Sequence, residues 1–374
     1  MSNDLRPAKK LGFGLMRLPT LEDKSIDIGQ VCAMVDAFLA KGCTYFDTAY
    51  VYHGGDSERA VRKILVERHP RNSFTIATKL PSWALNEEGD VQKVFDEQLE
   101  RTGAGYFDYY LLHAVSAEKL PAYDKFDCWN WAQEMKKQGL IRHFGFSFHD
   151  SADVLDKILT DHPEVEFVQL QINYLDWEDG IVQSRKCYEV AVKHGVPVVV
   201  MEPVKGGTLA QLPQRASEVL KAADPNVSLA SWALRFCGSL ENVMMVLSGM
   251  SDTAQMEDNL NTMAQLKPLS EGEHKVIEKT VEAFHSVPTV PCTNCRYCVD
   301  GCPQSILIPD LIRALNNTKL YGPNDRARDA FKNSTKENGL PSSCVACGQC
   351  EGVCPQHLEI IQILKEIAGV FETK

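Results

Sequence analysis

Eight of the thirteen cysteines in this 374-residue chain fall within one 63-residue window, from Cys292 to Cys354. They form two runs of a single pattern, C-x2-C-x2-C-x3-C-P. The first is Cys292, Cys295, Cys298 and Cys302, followed by Pro303; the second is Cys344, Cys347, Cys350 and Cys354, followed by Pro355. The other five, Cys32, Cys43, Cys128, Cys187 and Cys237, are scattered singly. Single cysteines are ordinary small core residues in a reducing compartment, where disulfides are rare. The eight need another explanation. Structural zinc sites usually pair two C-x2-C knuckles across a longer gap, which fits a compact four-cysteine run poorly.

Thiolates at this spacing are the bacterial [4Fe–4S] ligand pattern, in which three cysteines of a run wrap one cluster and the fourth reaches the other. The expected ligand sets are therefore Cys292, Cys295, Cys298 and Cys354 for one cluster, and Cys344, Cys347, Cys350 and Cys302 for the second. The stretch between Cys302 and Cys344 is longer than a minimal two-cluster protein needs. It contains the apolar-periodic segment IPDLIRALNN and a further helical stretch near Asp325 to Lys332, and HLEIIQILKEIAGVF follows Cys354. With these helices, residues 286–374 resemble the helical type of ferredoxin.

Charge divides the chain at the same place. The whole chain carries −11, yet residues 286–374 are neutral, so the negative charge lies in residues 1–285. The segment SVPTVP (286–291) reads as a linker between a large acidic domain, 1–285, and a small cysteine-rich one, 286–374. With 39 basic against 50 acidic residues there is no basic face for nucleic acid. The N-terminal MSNDLRPAKKLGFG has no apolar run after its charges, unlike a secretory signal. No apolar stretch approaches the roughly 20 residues that span a bilayer. A soluble cytoplasmic protein, with neither nucleic acid nor membrane as partner, is the expectation.

The large domain alternates two periods. Short β-branched runs recur as CTYFDT, FTIATKL, FDYYLLH, HFGFSFH, FVQLQINY, VPVVVME and VMMVLSG. Such runs read as strands buried on both faces. Between them lie helical stripes, such as Val31, Met34, Val35, Phe38 and Leu39, or Val91, Val94, Phe95 and Leu99. Alternation over about 280 residues implies a parallel sheet. Seven clear strands, with an eighth near Gln265 to Leu269, favour an α/β fold of the closed (β/α)8 TIM-barrel kind. The segment LGFGLMRLP (11–19) precedes the first repeat and reads as an extra hairpin. No Gly-x-Gly-x-x-Gly joins a strand to a helix, which argues against a Rossmann domain.

In a parallel barrel, chemistry sits where strands pass into loops. Asp47 ends the first of the seven runs and Tyr52 follows in the loop; Lys79 ends the second and His113 the third. Each has a structural reading alone: a helix cap, a solvated strand end, a core histidine. In order at successive strand ends they make a coherent acid. A Lys ammonium stabilises the phenolate and lowers the pKa of a nearby Tyr, normally about 10. An Asp fixes that Lys, and a neutral His orients a carbonyl oxygen. Together they could protonate that oxygen as hydride reaches its carbon.

These residues also carry a resemblance. FDTAYVYHGGDSE is similar to the first signature of the aldo-keto reductases, with Asp47 and Tyr52 at its acid and tyrosine, ATKL supplying Lys79 and YYLLH supplying His113. GFSFH resembles the family's motif with Ser147 on the nicotinamide amide, and VQLQINY places Gln171 on a second amide contact. MEPVKGG, with Lys205 and Gly206, resembles the loop over the pyrophosphate. SGMSDTAQMEDNL resembles the adenosine-phosphate segment, with Gly249, Gln255, Asp258 and Asn259 in it. The match runs from about residue 8 to 285. Departures are Phe148 in place of the Asn beside Ser147, Met201 in place of a stacking aromatic, and Gly249 and Gln255 in place of the charges that clamp a 2′-phosphate. The resemblance implies NADPH or NADH without choosing between them. Met16 and Arg17 are placed to contact the cofactor, or to serve as hairpin packing and surface charge. Tyr123, Phe126, Trp129 and Trp131, with Tyr174 and Trp177, form either an aromatic substrate mouth or loop packing.

The two halves together imply an iron–sulfur-containing oxidoreductase acting on a small carbonyl substrate, with the clusters in electron transfer and a ferredoxin or similar protein as partner. A cluster passes single electrons and nicotinamide passes a hydride, so direct coupling needs a converter. FMN in the barrel, fed by the clusters, is one alternative. A redox-sensing module without turnover is another, and purely structural clusters a further one.

Overall fold

The computed structural model describes residues 5–292 and 294–372. The chain divides into two compact units, one holding residues up to Gln211 together with Ala223–Ile277, the other holding Leu212–Ala222 and the chain from Glu278 onward.

The first unit is a closed barrel of eight parallel strands: β1 (Leu11–Gly14), β2 (Tyr45–Asp47), β3 (Thr75–Pro81), β4 (Phe107–Val115), β5 (Ile141–Phe148), β6 (Phe167–Gln171), β7 (Val198–Met201) and β8 (Val243–Ser248). Each strand pairs with its neighbours in sequence, and β1 closes the ring against β8. The expected eighth strand is corrected by this ring. Gln265–Leu269 is not a strand; the closing strand is LGFG, at the front of the segment read as a hairpin. Only a bridge between Thr20 and Ile26 retains antiparallel pairing there. Two glycines in four residues hid β1, because glycine normally weakens a strand. Here a side chain is excluded: a Cβ on Gly12 would lie 2.6 Å from Leu247 Cδ2 and 3.1 Å from the Tyr45 ring.

Tyr45, Ala77, Tyr109, Leu111, Phe167, Val199, Met245 and Leu247 pack together within the barrel. Outside the ring, Phe13 and Phe46 meet Phe38 of the helix Ile28–Ala40, with ring centroids 5.9 and 5.3 Å from Phe38. Asp27 caps that helix, accepting from the Gln30 amide. A buried polar network stiffens the wall between β3 and its helices. Glu58 is fully buried and accepts from the Thr78 hydroxyl at 2.7 Å, from Gln98 Nε2 at 2.8 Å and from Arg101 at 3.2 Å. Gln98 Nε2 also donates to the Lys79 carbonyl at 3.1 Å, fixing the backbone at the upper end of β3.

The second unit is mainly helical. Ile308–Tyr321, Asp325–Thr335 and Ile360–Phe371 are its longer helices, at the three places where the sequence is apolar-periodic. Ile306, Ile308, Leu311, Ile312, Leu315, Ile360, Leu364 and Ile367 form its core. Phe331 stacks on Phe371, with ring centroids 4.8 Å apart. Among the described residues no helix is long and apolar enough to cross a membrane.

Candidate active site and cysteine cavities

Asp47, Lys79 and His113 stand at the carboxyl ends of β2, β3 and β4, and Tyr52 lies in the loop after β2. Side chains alternate along a strand, so Tyr45 and Asp47, or Ala77 and Lys79, share the face that looks into the barrel. The structure brings all four together. Lys79 Nζ donates to Asp47 Oδ1 at 2.6 Å, to the Thr48 carbonyl at 2.8 Å and to the Tyr52 phenol oxygen at 3.3 Å. The second Asp47 oxygen accepts from Gln169 Nε2 at 3.2 Å. The His113 ring lies 6.2 Å from the Tyr52 ring, nearly edge-on.

Lys79 is 1% exposed and Asp47 3% exposed, so neither charge is stable there without the other. Burial alone would lower the Lys79 pKa, but Asp47 and the Tyr52 phenol together hold it above its ordinary value. The ammonium therefore keeps its charge. Burial raises the Tyr52 pKa and Lys79 pulls against it, with a net rise. This modifies the expectation of a depressed phenol: desolvation outweighs the ammonium, and the Tyr52 proton stays on through the neutral range. Burial, then the positive charge of Lys79, His149 and Lys119, lowers the His113 pKa to about 3. Its ring is neutral at ordinary pH, as the sequence reading required.

The residues expected around a nicotinamide are placed less uniformly. Ser147 is buried in β5, level with Gln169 on β6, and its hydroxyl accepts from the Ala114 amide at 2.7 Å. Ala114 has φ +55° within a register shift of β4, so Ser147 secures the irregular backbone next to His113. Among the described residues its hydroxyl donates to no other group. Gln171 is turned to Asp176, donating at 3.0 Å, and Lys205 forms an ion pair with the same Asp176. Phe148 is buried. Arg17 connects two loops: its guanidinium donates to the Gly206 carbonyl at 3.0 Å and lies 3.7 Å from Glu202, while its carbonyl accepts from Ser251 at 2.9 Å. Met16 is exposed, and Gly249 lies against the Arg17 side chain. Gln255 closes its own helix start, bonded to Ser251 and Asp252. Asn259 donates to Ser248 at 2.9 Å, and Asp258 accepts from Ser228 at 2.6 Å.

The aromatic loop resolves mainly into packing. Tyr123 is fully buried, and its phenol bonds the Leu80 and His113 carbonyls and the Ser82 amide. Trp129 stacks on His162 with centroids 3.7 Å apart. The exposed aromatic beside the site is Trp83, 50% exposed, with its ring 5.1 Å from that of His113. Its place four residues beyond Lys79, in the loop after the strand, was the sequence signal for it.

In the second unit the cysteines line two cavities. Cys292, Cys295, Cys298 and Cys354 line one; Cys302, Cys344, Cys347 and Cys350 line the other. Ile308 lines both. The two runs repeat each other in backbone as well as sequence. Asn294 and Arg296 have φ +57° and +66°, and their counterparts Ala346 and Gly348 have +54° and +76°. Three residues past the fourth cysteine, Ser305 and His357 have φ +52° and +50°. Left-handed conformations are costly for residues other than glycine, and they persist where the chain must wrap something. Among the described residues no three His, Cys, Asp or Glu side chains converge to hold a single metal ion. All thirteen cysteines are unpaired. Four thiols spread around a cavity suit a cube of iron and sulfide, whose irons each take one thiolate.

A model of the aldo/keto reductase family matches residues 10–282, and a model of a 4Fe-4S dicluster domain matches residues 291–359. An uncharacterized oxidoreductase of Bacillus subtilis is 24% identical over 303 residues, covering 72% of this chain and 91% of the relative. L-galactose dehydrogenase of Arabidopsis thaliana is 25% identical over 302 residues, covering 73% and 89%. Among solved structures, an aldo-keto reductase from Bacillus halodurans in its holo form is 26% identical with a TM-score of 0.56, covering 73% of this chain and 92% of that one. An aldo-keto reductase from Klebsiella pneumoniae in complex with NADPH is 18% identical, covering 72% and 90% with a TM-score of 0.56, a likeness of fold.

Proposed function

This chain belongs to the aldo/keto reductase family, and we propose that it reduces an aldehyde or ketone, or oxidises the alcohol, with a nicotinamide cofactor and Tyr52 as general acid. The buried line from Asp47 through Lys79 to Tyr52, ending beside a neutral His113, carries this reading. When bound, the nicotinamide supplies the hydride that reaches the carbonyl carbon. Tyr52 gives its phenolic proton to the carbonyl oxygen, and Lys79, 3.3 Å away, meets the charge left on the phenolate. Asp47 holds Lys79 in place and in its charged form. His113 donates a ring N–H to the same oxygen and orients it. Water returns the proton to Tyr52 after the alcohol leaves. Ser147, with a hydroxyl proton to donate, and Gln169 or Gln171 beside it would hold the cofactor's amide. Arg17, with the loop of Lys205 and Gly206, would face its phosphates.

The rate of reduction should depend on pH in a definite way. The protonated phenol is the active form, and its pKa is displaced upward. Reduction should therefore hold through neutral pH and fall only as pH rises beyond about 10, the ordinary tyrosine value. His113 loses its proton far below neutrality, so no inflection is expected near 6.5 in a profile of kcat against pH.

We further propose that the second unit carries two [4Fe–4S] clusters for one-electron exchange with a ferredoxin or other redox protein. Anaerobically prepared protein should contain about eight iron and eight sulfide per chain. Cys354→Ser should alter the cluster held by Cys292, Cys295 and Cys298, although it lies in the other run. Electron paramagnetic resonance of the reduced protein checks this. A Cys354→Ser variant that perturbs the Cys344 cluster instead would reverse the ligand assignment. Titration with reduced nicotinamide then tests the coupling: bleaching of the iron–sulfur absorbance would require a flavin or another converter of paired to single electrons.

A further inference from the structure

Beyond the proton donor and His113, the barrel rim carries a cation that the reaction does not use. Lys119 follows β4 in a short turn tied to its surroundings. Its amide donates to the Ser116 carbonyl at 3.1 Å, the Leu120 amide donates to the same carbonyl at 2.8 Å, and the Ala117 amide donates to Asp150 at 2.8 Å. The side chain is half-buried. Lys119 Nζ lies 5.3 Å from the centre of the Trp83 ring, over its face. Among the described residues no carboxylate forms an ion pair with it. Trp83 is itself half-exposed and stands 5.1 Å from His113, whose ring lies 6.2 Å from that of Tyr52. A proton donor, an imidazole, a half-exposed indole and an ammonium with no ion pair among the described residues thus follow one another along the rim.

Resting on the carbonyl-reductase reading, we propose that this site selects carbonyl compounds that carry a carboxylate several bonds from the carbonyl. The carboxylate pairs with Lys119, and the planar framework between the two groups lies on Trp83. An ammonium without a carboxylate partner among the described residues gains most from an anionic ligand. An aromatic face adds apolar contact at low ordering cost. Burial is the main cause that lowers the pKa of His113 and His149, and the positive charge of Lys119 adds to it at both. Since Tyr52, His113 and Trp83 intervene, a charge placed directly beside the carbonyl would fall short of Lys119.

The test compares 4-carboxybenzaldehyde with methyl 4-formylbenzoate, two substrates alike in shape and unlike in charge. Wild-type protein is expected to favour the acid by about tenfold or more in kcat/KM, the size of one charge-assisted contact. Lys119→Met should bring that ratio close to one, and Lys119→Arg should largely keep it. Terephthalate, which cannot be reduced at an aldehyde, provides a reading independent of turnover. Its binding, measured by calorimetry, should weaken about tenfold in Lys119→Met. An acid-to-ester ratio that does not change in Lys119→Met, or equal terephthalate binding by both proteins, overturns the proposal. Lys119-dependent terephthalate binding with no consumption of either aldehyde overturns the reductase reading and retains the anion site.

Discussion

Tyr52→Phe is expected to lower kcat/KM for aldehyde reduction by about a thousandfold, within the range that loss of a positioned general acid costs. The phenol stands at the end of the line from Asp47 through Lys79 and carries the proton that the proposed reaction transfers. Phe keeps the ring and its packing against His113. Lys79 loses a 3.3 Å contact but keeps Asp47 and the Thr48 carbonyl, so stability should change by only about 1 kcal/mol. Cofactor affinity should be nearly unchanged, because no proposed cofactor contact is removed. Steady-state kinetics and thermal unfolding on the same preparation separate the two effects. A variant that keeps more than a tenth of wild-type activity would assign the acid to another group. The same variant also answers the sensor alternative, since a sensor does not need the phenolic proton.

Removal of either partner of the buried ion pair should act on folding as well as on rate. Asp47→Ala leaves the Lys79 ammonium, 1% exposed, with only a carbonyl and a phenol. A broken buried pair costs about 3–5 kcal/mol, because the remaining charge is desolvated without compensation. Lys79→Met should cost a similar amount by stranding Asp47, whose remaining partner is Gln169. The double variant Asp47→Leu with Lys79→Met should recover much of the lost stability while staying inactive, since two apolar groups can replace a buried pair. Urea unfolding of the three proteins checks the first part and aldehyde turnover the second. Additive destabilisation in the double variant would show that the two side chains act independently.

The site was legible where its chemistry is written in local spacing. Asp47, Tyr52, Lys79 and His113 each sit at or just past the end of a β-branched run, and the barrel converts successive strand ends into one rim. The first strand was not legible, because LGFG has the glycines of a turn; only the packing of Leu247, Met245 and Tyr45 across the ring requires Gly12. The pull of Lys79 on Tyr52 was foreseeable from charge, but its net result was not. Burial decides the sign, and burial belongs to the assembled barrel. Ser147 and Gln171 read as cofactor contacts by motif. The structure adds partners the motif does not show, the Ala114 amide for one and Asp176 for the other.

By itself the sequence determined what groups the chain can offer: eight thiols in two identical spacings, an alternation of strand and helix, and an acid set in the right order. Those are properties of neighbours along the chain, and short-range periodicity records them directly. Tertiary structure alone decided which strand closes the ring, which aromatic stands beside His113, and that Lys119 stands over Trp83 with no carboxylate paired to it among the described residues. These depend on how segments far apart in sequence meet, where close packing and the cost of desolvation, rather than local spacing, select the neighbours.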